Sequence, residues 1–264
     1  MAILVHDTTT IHYELAGDGP PLLLIAPGGM RSQIGVWKKA PFDPTREFAQ
    51  SHRVIAMDQR NAGGSKGPIE TGMGWDQHTG DQLALLDHLG VDRFLVMGMC
   101  IGGAYIAGLI RAAKNRVAGA IMLQPIGFAD NRAAFHEMFD AWAEDVRGVH
   151  PEADFDAYKH HLFGAANTTE PRHRFLFNAS RDEVAEWTTP LLVARGNDLY
   201  HPESTSRELA SLAGNARLIE DWKQGDAIQA GSREMRRFLD SGSIGAGCPR
   251  RLGRASHARV LRWR

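Results

Sequence analysis

The sequence predicts an α/β fold: a mostly parallel central sheet wrapped by helices, with a helical insertion above the strand ends. Three observations predict it. Short continuous apolar runs recur along the chain, as in strands buried on both faces. Helical segments alternate with those runs, the order that builds a parallel sheet. One stretch, residues 127–187, breaks the rhythm: it has no strand-like run and is dense in aromatics and histidines.

In chain order, Ile11-His12-Tyr13-Glu14-Leu15 alternates like an edge strand and ends at the turn Gly17-Asp18-Gly19-Pro20. Leu22 to Ala26 and Val54 to Met57 are buried-strand runs, stopped by Pro27-Gly28-Gly29 and by Asp58. Residues 34–50 between them predict a helix interrupted by Pro41 and Pro44. Asp76 to Leu89 predicts an amphipathic helix with Leu83, Leu86 and Leu89 on one face and Gly90 at its C-terminal cap. Phe94 to Met99 is the next strand, and Ala104 to Ala113 the helix after it. Val117 to Gln124, Pro190 to Ala194 and Ala216 to Ile219 complete the strands, and Ser232 to Leu239 is the closing helix. In the insertion, Phe135, Met138, Phe139 and Trp142 share one helical face. The division expected is a core of residues 1–126 and 188–240, a cap of residues 127–187, and a tail of residues 241–264.

Composition narrows the function. A 264-residue chain, 43% hydrophobic and 23% charged with a net charge of −1, offers no electrostatic case for nucleic acid or membrane binding. No apolar run approaches a membrane span and no signal peptide is evident. The two cysteines, Cys100 and Cys248, make no disulfide framework and fit a reducing cytoplasm. Arginines 250, 251, 254, 259, 262 and 264 make the tail basic, with no acid. It reads as a poorly ordered appendage; a nucleic-acid arm is the sharper alternative.

The chemistry-bearing feature is Gly98-Met99-Cys100-Ile101-Gly102-Gly103, a strand driven into a Gly-flanked turn with a cysteine at its apex. Glycines there make room for a chain that reverses at once into a helix, and the apical residue is forced into strained geometry that presents its side chain. The following helix aims its N-terminal N–H groups at the sulfur, which predicts a stabilised thiolate.

Four ordered segments resemble the α/β-hydrolase superfamily in its compact, capped form. Ala26-Pro27-Gly28-Gly29 stands where that family has its oxyanion loop, and Asp58-Gln59-Arg60-Asn61-Ala62-Gly63-Gly64-Ser65 resembles its Asp-x-Arg-Gly stretch. The third is the cysteine elbow, and Gly196-Asn197-Asp198 resembles the segment supplying the triad acid. The resemblance implies that Cys100 is the nucleophile and Asp198 the acid. It gives Ile101 N–H as one oxyanion donor, with Gly29 or Met30 as the second. Asp58 and Arg60 are assigned to a structural salt bridge and turn. The cap underside, with Phe128, Phe139, Trp142, His160 and His161, is expected to line the substrate pocket, besides packing on its own small core.

One element departs from the family pattern. The loop after the last strand, Glu220 to Ala227, holds no histidine. A thiol tolerates that loss better than a hydroxyl does. His201, three residues after Asp198, is the main candidate for the proton shuttle. His160 or His161 from the cap and Lys223, standing where the imidazole is expected, are the others. His6, His12 and His52 are set aside, and His78 is read as a surface or capping residue. The expected activity is hydrolysis or acyl transfer on a small uncharged ester, thioester or lactone, with no cofactor or metal and a small molecule as the only partner besides a second copy in a homodimer. A ligand-binding protein and a cofactor-free lyase on the same scaffold are the alternatives.

Overall fold

The computed structural model describes residues 2–165, 167, 170 and 172–243. Its strands are β1 (Ala2–His6), β2 (Thr9–Ala16), β3 (Pro21–Ile25), β4 (Arg53–Met57), β5 (Phe94–Met99), β6 (Val117–Leu123), β7 (Leu191–Ala194) and β8 (Ala216–Ile219). They form one eight-stranded sheet in the order β1-β2-β4-β3-β5-β6-β7-β8. β1 and β2 pair antiparallel, as do β2 and β4, and every other pair is parallel. The α/β class and its mostly parallel sheet are as the apolar runs predict. β5 and β6 are buried at every residue, which is why their sequences read as unbroken apolar runs.

Alternate residues of each inner strand feed two separate cores. Leu23, Ile25, Val96 and Met122 face one side, where they meet Tyr105, Ile106 and Leu109 of α3 (Gly102–Ala113) and Leu85 and Leu86 of α2 (Trp75–His88). Leu22, Leu24, Leu95 and Met97 face the other, against Met235, Phe238 and Leu239 of α8 (Ala227–Ser243). Each buried Leu or Phe contributes about 1.5–3 kcal/mol of transfer free energy, so the two layers together hold the sheet.

Three local readings change. The expected helix over residues 34–50 is a 3-10 turn, Ile34–Lys39, followed by the single turn α1 (Pro44–Glu47). Pro44 starts that turn and Asp43 caps it through Thr45 N–H at 3.0 Å, so the prolines divide the segment completely. The buried residues of α2 are Trp75, His78, Thr79, Asp81, Gln82, Leu85 and Leu86, with Leu83 and Leu89 only half-buried. β1 and the helix α7 (Glu203–Leu212) were not anticipated: β1 exposes Ile3 and Val5, and α7 buries the small polar residues Thr205 and Ser206 beside Leu209.

Residues 127–187 carry α4 (Arg132–Arg147), α5 (Phe155–Phe163) and α6 (Arg181–Ala185), and no strand among the described residues. The basic tail, expected over residues 241–264, begins later: residues 241–243 are the end of α8, and residues 244–264, with all six arginines and the second cysteine, lie outside the described residues. No described helix is long and apolar enough to cross a membrane.

Candidate active site

The sheet delivers its functional residues side by side. Parallel hydrogen bonding runs one residue past the strands: Cys100 N–H donates to Leu123 O at 2.9 Å, Gln124 N–H to Ala194 O at 2.7 Å, and Arg195 N–H to Ile219 O at 2.9 Å. The ends of β5, β6, β7 and β8 are therefore level, at the carboxyl edge where parallel sheets place ligands.

Cys100 sits at φ 60°, in the left-handed region that a residue with a Cβ rarely occupies. The surrounding glycines are needed for close approach. A Cβ on Gly98 would lie 2.9 Å from the Gly102 backbone, and one on Gly103 would lie 2.9 Å from Pro125. Cys100 O in turn accepts from Gly103 N–H at 3.1 Å and Ile126 N–H at 3.2 Å. The side chain is partly accessible, and the backbone N–H groups of Ile101 and Gly28 are directed at its sulfur. Gly28, at φ 117°, precedes the two residues that the sequence offered as second donor; Gly29 and Met30 follow it in the turn.

The stabilised thiolate does not survive this geometry. Burial pushes the Cys100 thiol up to about 12, the two N–H groups oppose that only in part, and the Asp198 carboxylate adds to the rise. A helix N-terminus lowers a thiol where water also reaches it; here the desolvation is larger. The sulfur is a neutral thiol at neutral pH.

Asp198 and His201 form a tight pair. Asp198 Oδ1 faces His201 Nδ1 at 2.7 Å and accepts from the backbone N–H of Tyr200 and His201, each at 3.0 Å. Its Oδ2 faces Lys223 Nζ at 3.9 Å, and that ammonium donates to Gln124 Oε1 at 2.7 Å. Asp198 is held below the usual carboxylate range: burial raises it, and the His201 hydrogen bond and charge more than offset that. His201 is buried and lowered from its usual value, chiefly by desolvation, so it is neutral at neutral pH. With Nδ1–H given to Asp198, its Nε2 is an acceptor, buried and without a hydrogen-bond partner. Lys223 is also lowered by burial, and it lines a cleft of about 320 Å³ with Arg195, Asn197 and Trp222.

The cap residues divide. Trp142 covers the turn Gly28 to Arg31 so closely that a Cβ on Gly29 would fall 2.2 Å from its ring. Arg31, in that loop, pairs with Asp145 and donates to Ala141 O at 2.9 Å, so α4 is fastened to the turn beside the elbow. Phe139 is fully buried against Tyr158 and Phe163, and Phe128 is half-buried. His160 and His161 are exposed on α5, and the structure does not bring them to the elbow. Arg132, in the first turn of α4, is 4% exposed, a buried charge in a cap whose expected pocket residues are aromatics and histidines.

His78 corrects its surface assignment. It is fully buried, its Nε2 lies 2.7 Å from Tyr158 Oη, and burial pushes it down to about 3. Tyr158 lies 80 residues away, so no local signal could have shown this. Asp58 and Arg60 do not pair with each other. Asp58 receives His12 at 2.7 Å, and Arg60 grips Asp81 through two hydrogen bonds of 2.8 and 2.7 Å. A cleft of about 480 Å³ opens beside His12 and Asp58, with no elbow residue in its walls. Among the described residues no group of three His, Cys, Asp or Glu could hold a metal.

Comparison with known proteins supplies the context. Residues 21–167 match the family described as alpha/beta hydrolase fold. Haloalkane dehalogenase 2 of Mycobacterium bovis is 30% identical over 112 residues, which cover 42% of this chain and 37% of that protein's length. The putative carbamate hydrolase RutD of Azorhizobium caulinodans is 26% identical over 238 residues, 80% of this chain and 86% of that one. Among solved structures, Est816, described as an N-acyl homoserine lactone degrading enzyme, superposes with a TM-score of 0.61 at 25% identity, covering 90% of this chain and 97% of that one.

Proposed function

The chain belongs to the alpha/beta hydrolase fold family, and from that premise we propose that it is a hydrolase of small ester, thioester or lactone substrates with Cys100 as nucleophile. The observation that carries this is the elbow: a cysteine held at φ 60°, with Ile101 and Gly28 N–H aimed at its sulfur. A structural cysteine has no need of strained backbone or convergent donors. The similarity to a lactone-degrading enzyme favours acyl chemistry.

The mechanism follows from the charges. His201 Nε2, neutral and free to accept, takes the thiol proton as sulfur attacks the carbonyl carbon, and Asp198 stabilises the imidazolium that forms. Since Nε2 makes no hydrogen bond to the sulfur, the transfer runs through a water or after substrate closes the gap. Ile101 and Gly28 N–H, with Gly29 and Met30 beside them in the turn, receive the oxyanion. Collapse expels the alcohol or thiol, which leaves with the proton from His201. Water, deprotonated by the same imidazole, then cleaves the thioester and restores the thiol.

A second reading, a ligand-binding protein on this fold, is favoured by one observation: Lys223 donates to Gln124 in the loop where the family pattern has its histidine. A panel of p-nitrophenyl esters, acyl thioesters and lactones of two to eight carbons separates the two. We expect turnover of at least one class, lost by about 10³-fold or more in Cys100→Ala. Thermal stabilisation by these compounds without turnover selects the second reading.

A further inference from the structure

Arg132 is a buried charge without a counter-ion. At 4% exposure, its guanidinium lies 4.3 Å from the centre of the Phe128 ring and 5.5 Å from that of Phe177, and it donates to the carbonyls of Phe163 and His173. Those two bonds leave other N–H donors unused, and Nε is shut from solvent with no partner. Every Asp and Glu of the chain lies among the described residues, and no ion pair there includes Arg132. Burial alone lowers its pKa, with no carboxylate opposing. Two neighbours that feel its charge, His136 and His173, are lowered by burial and stay neutral, so the charge buried here is that of Arg132. Burying a cation in this way is costly, and the cost is recovered when an anion arrives.

Its position ties it to the elbow. Arg132, Phe135, Phe139 and Trp142 are the buried face of α4, whose far end covers Gly29. Phe128, on which the guanidinium stacks, follows Ile126, whose N–H donates to Cys100 O at 3.2 Å.

We propose that Arg132 is the counter-ion for a carboxylate on the substrate, so that the site takes acyl compounds with the scissile carbonyl at Cys100 and an anionic far end under α4. This rests on the reading of Cys100 as nucleophile, and it replaces the uncharged substrate expected from an apolar cap. A planar guanidinium between aromatic rings, with its Nε edge free, suits a planar carboxylate.

The test compares mono-p-nitrophenyl esters of the C4 to C8 dicarboxylic acids with neutral p-nitrophenyl esters of equal length. Wild type should favour the anionic ester by about tenfold or more in kcat/KM, at an optimum length set by the span. In Arg132→Gln that ratio should fall to about one, mainly through KM, and Arg132→Lys should keep part of it. Equal losses on both series in Arg132→Gln, or a preference for neutral esters at every length, overturns the proposal and leaves Arg132 as a tie between Phe163 and His173. A binding measurement separates this failure from failure at Cys100. The C4 to C8 dicarboxylates, against chloride at equal ionic strength, should raise the Tm of Cys100→Ala and leave that of Cys100→Ala/Arg132→Gln unmoved. Stabilisation without turnover in wild type upholds Arg132 and removes Cys100 as nucleophile; no stabilisation of Cys100→Ala at any length overturns the Arg132 proposal.

Discussion

Asp198 gives one oxygen to His201 and turns the other towards Lys223, so a single carboxylate organises both basic groups at the strand ends. Their environments assign different tasks. Lys223 is tied to Gln124, whereas His201 keeps an acceptor nitrogen free. The consequence is a pH dependence of definite sign. His201 must be neutral to accept the thiol proton, and burial lowers its pKa from the usual 6.5. The acidic limb of kcat/KM should therefore have its midpoint below 6.5, with activity lost as pH falls through it. The thiol, pushed up to about 12, adds no limb near neutrality. A profile measured between pH 4.5 and 9 checks this. A midpoint at or above 6.5, or a limb unchanged in His201→Gln, removes His201 from the role.

Among the elements, α4 lies against the turn beside the elbow. Trp142 seats on Gly29, which can receive it because it has no Cβ and adopts φ 57°. The Arg31–Asp145 pair holds the same helix from its outer side, where both partners are about half exposed and contribute little alone. The indole contact and the Arg31–Ala141 hydrogen bond thus fasten α4 to this turn. Gly29→Ala should displace the ring, strain the turn and cost about 1–3 kcal/mol. Faster proteolysis within α4 and a lower Tm are the expected readouts. An unchanged Tm with unchanged cleavage would mean that α4 rests on its other contacts.

At the scale of the whole molecule, what was legible follows from how local each signal is. The central strands could be read because each is a continuous apolar run bounded by turn residues, as in Phe94 to Met99 before its glycines. Cys100 and the Asp198–His201 pair were legible because each signal lies within a few residues of chain. β1 was not, since an edge strand with Ile3 and Val5 turned to solvent shows no core-facing pattern. The raised thiol, the buried His78 and the unpaired Arg132 arise from burial beneath residues far along the chain, and composition does not record burial. The glycine spacing specifies where the sulfur is presented, and the surrounding fold sets its protonation. On the proposed mechanism this sulfur attacks an acyl carbon. Brief exposure to an activated ester, acid quench and intact-protein mass should show one acyl mass added per chain, mapped to the Cys100 peptide and absent in Cys100→Ala. No adduct at any ester length, or an adduct that persists in Cys100→Ala, would contradict it.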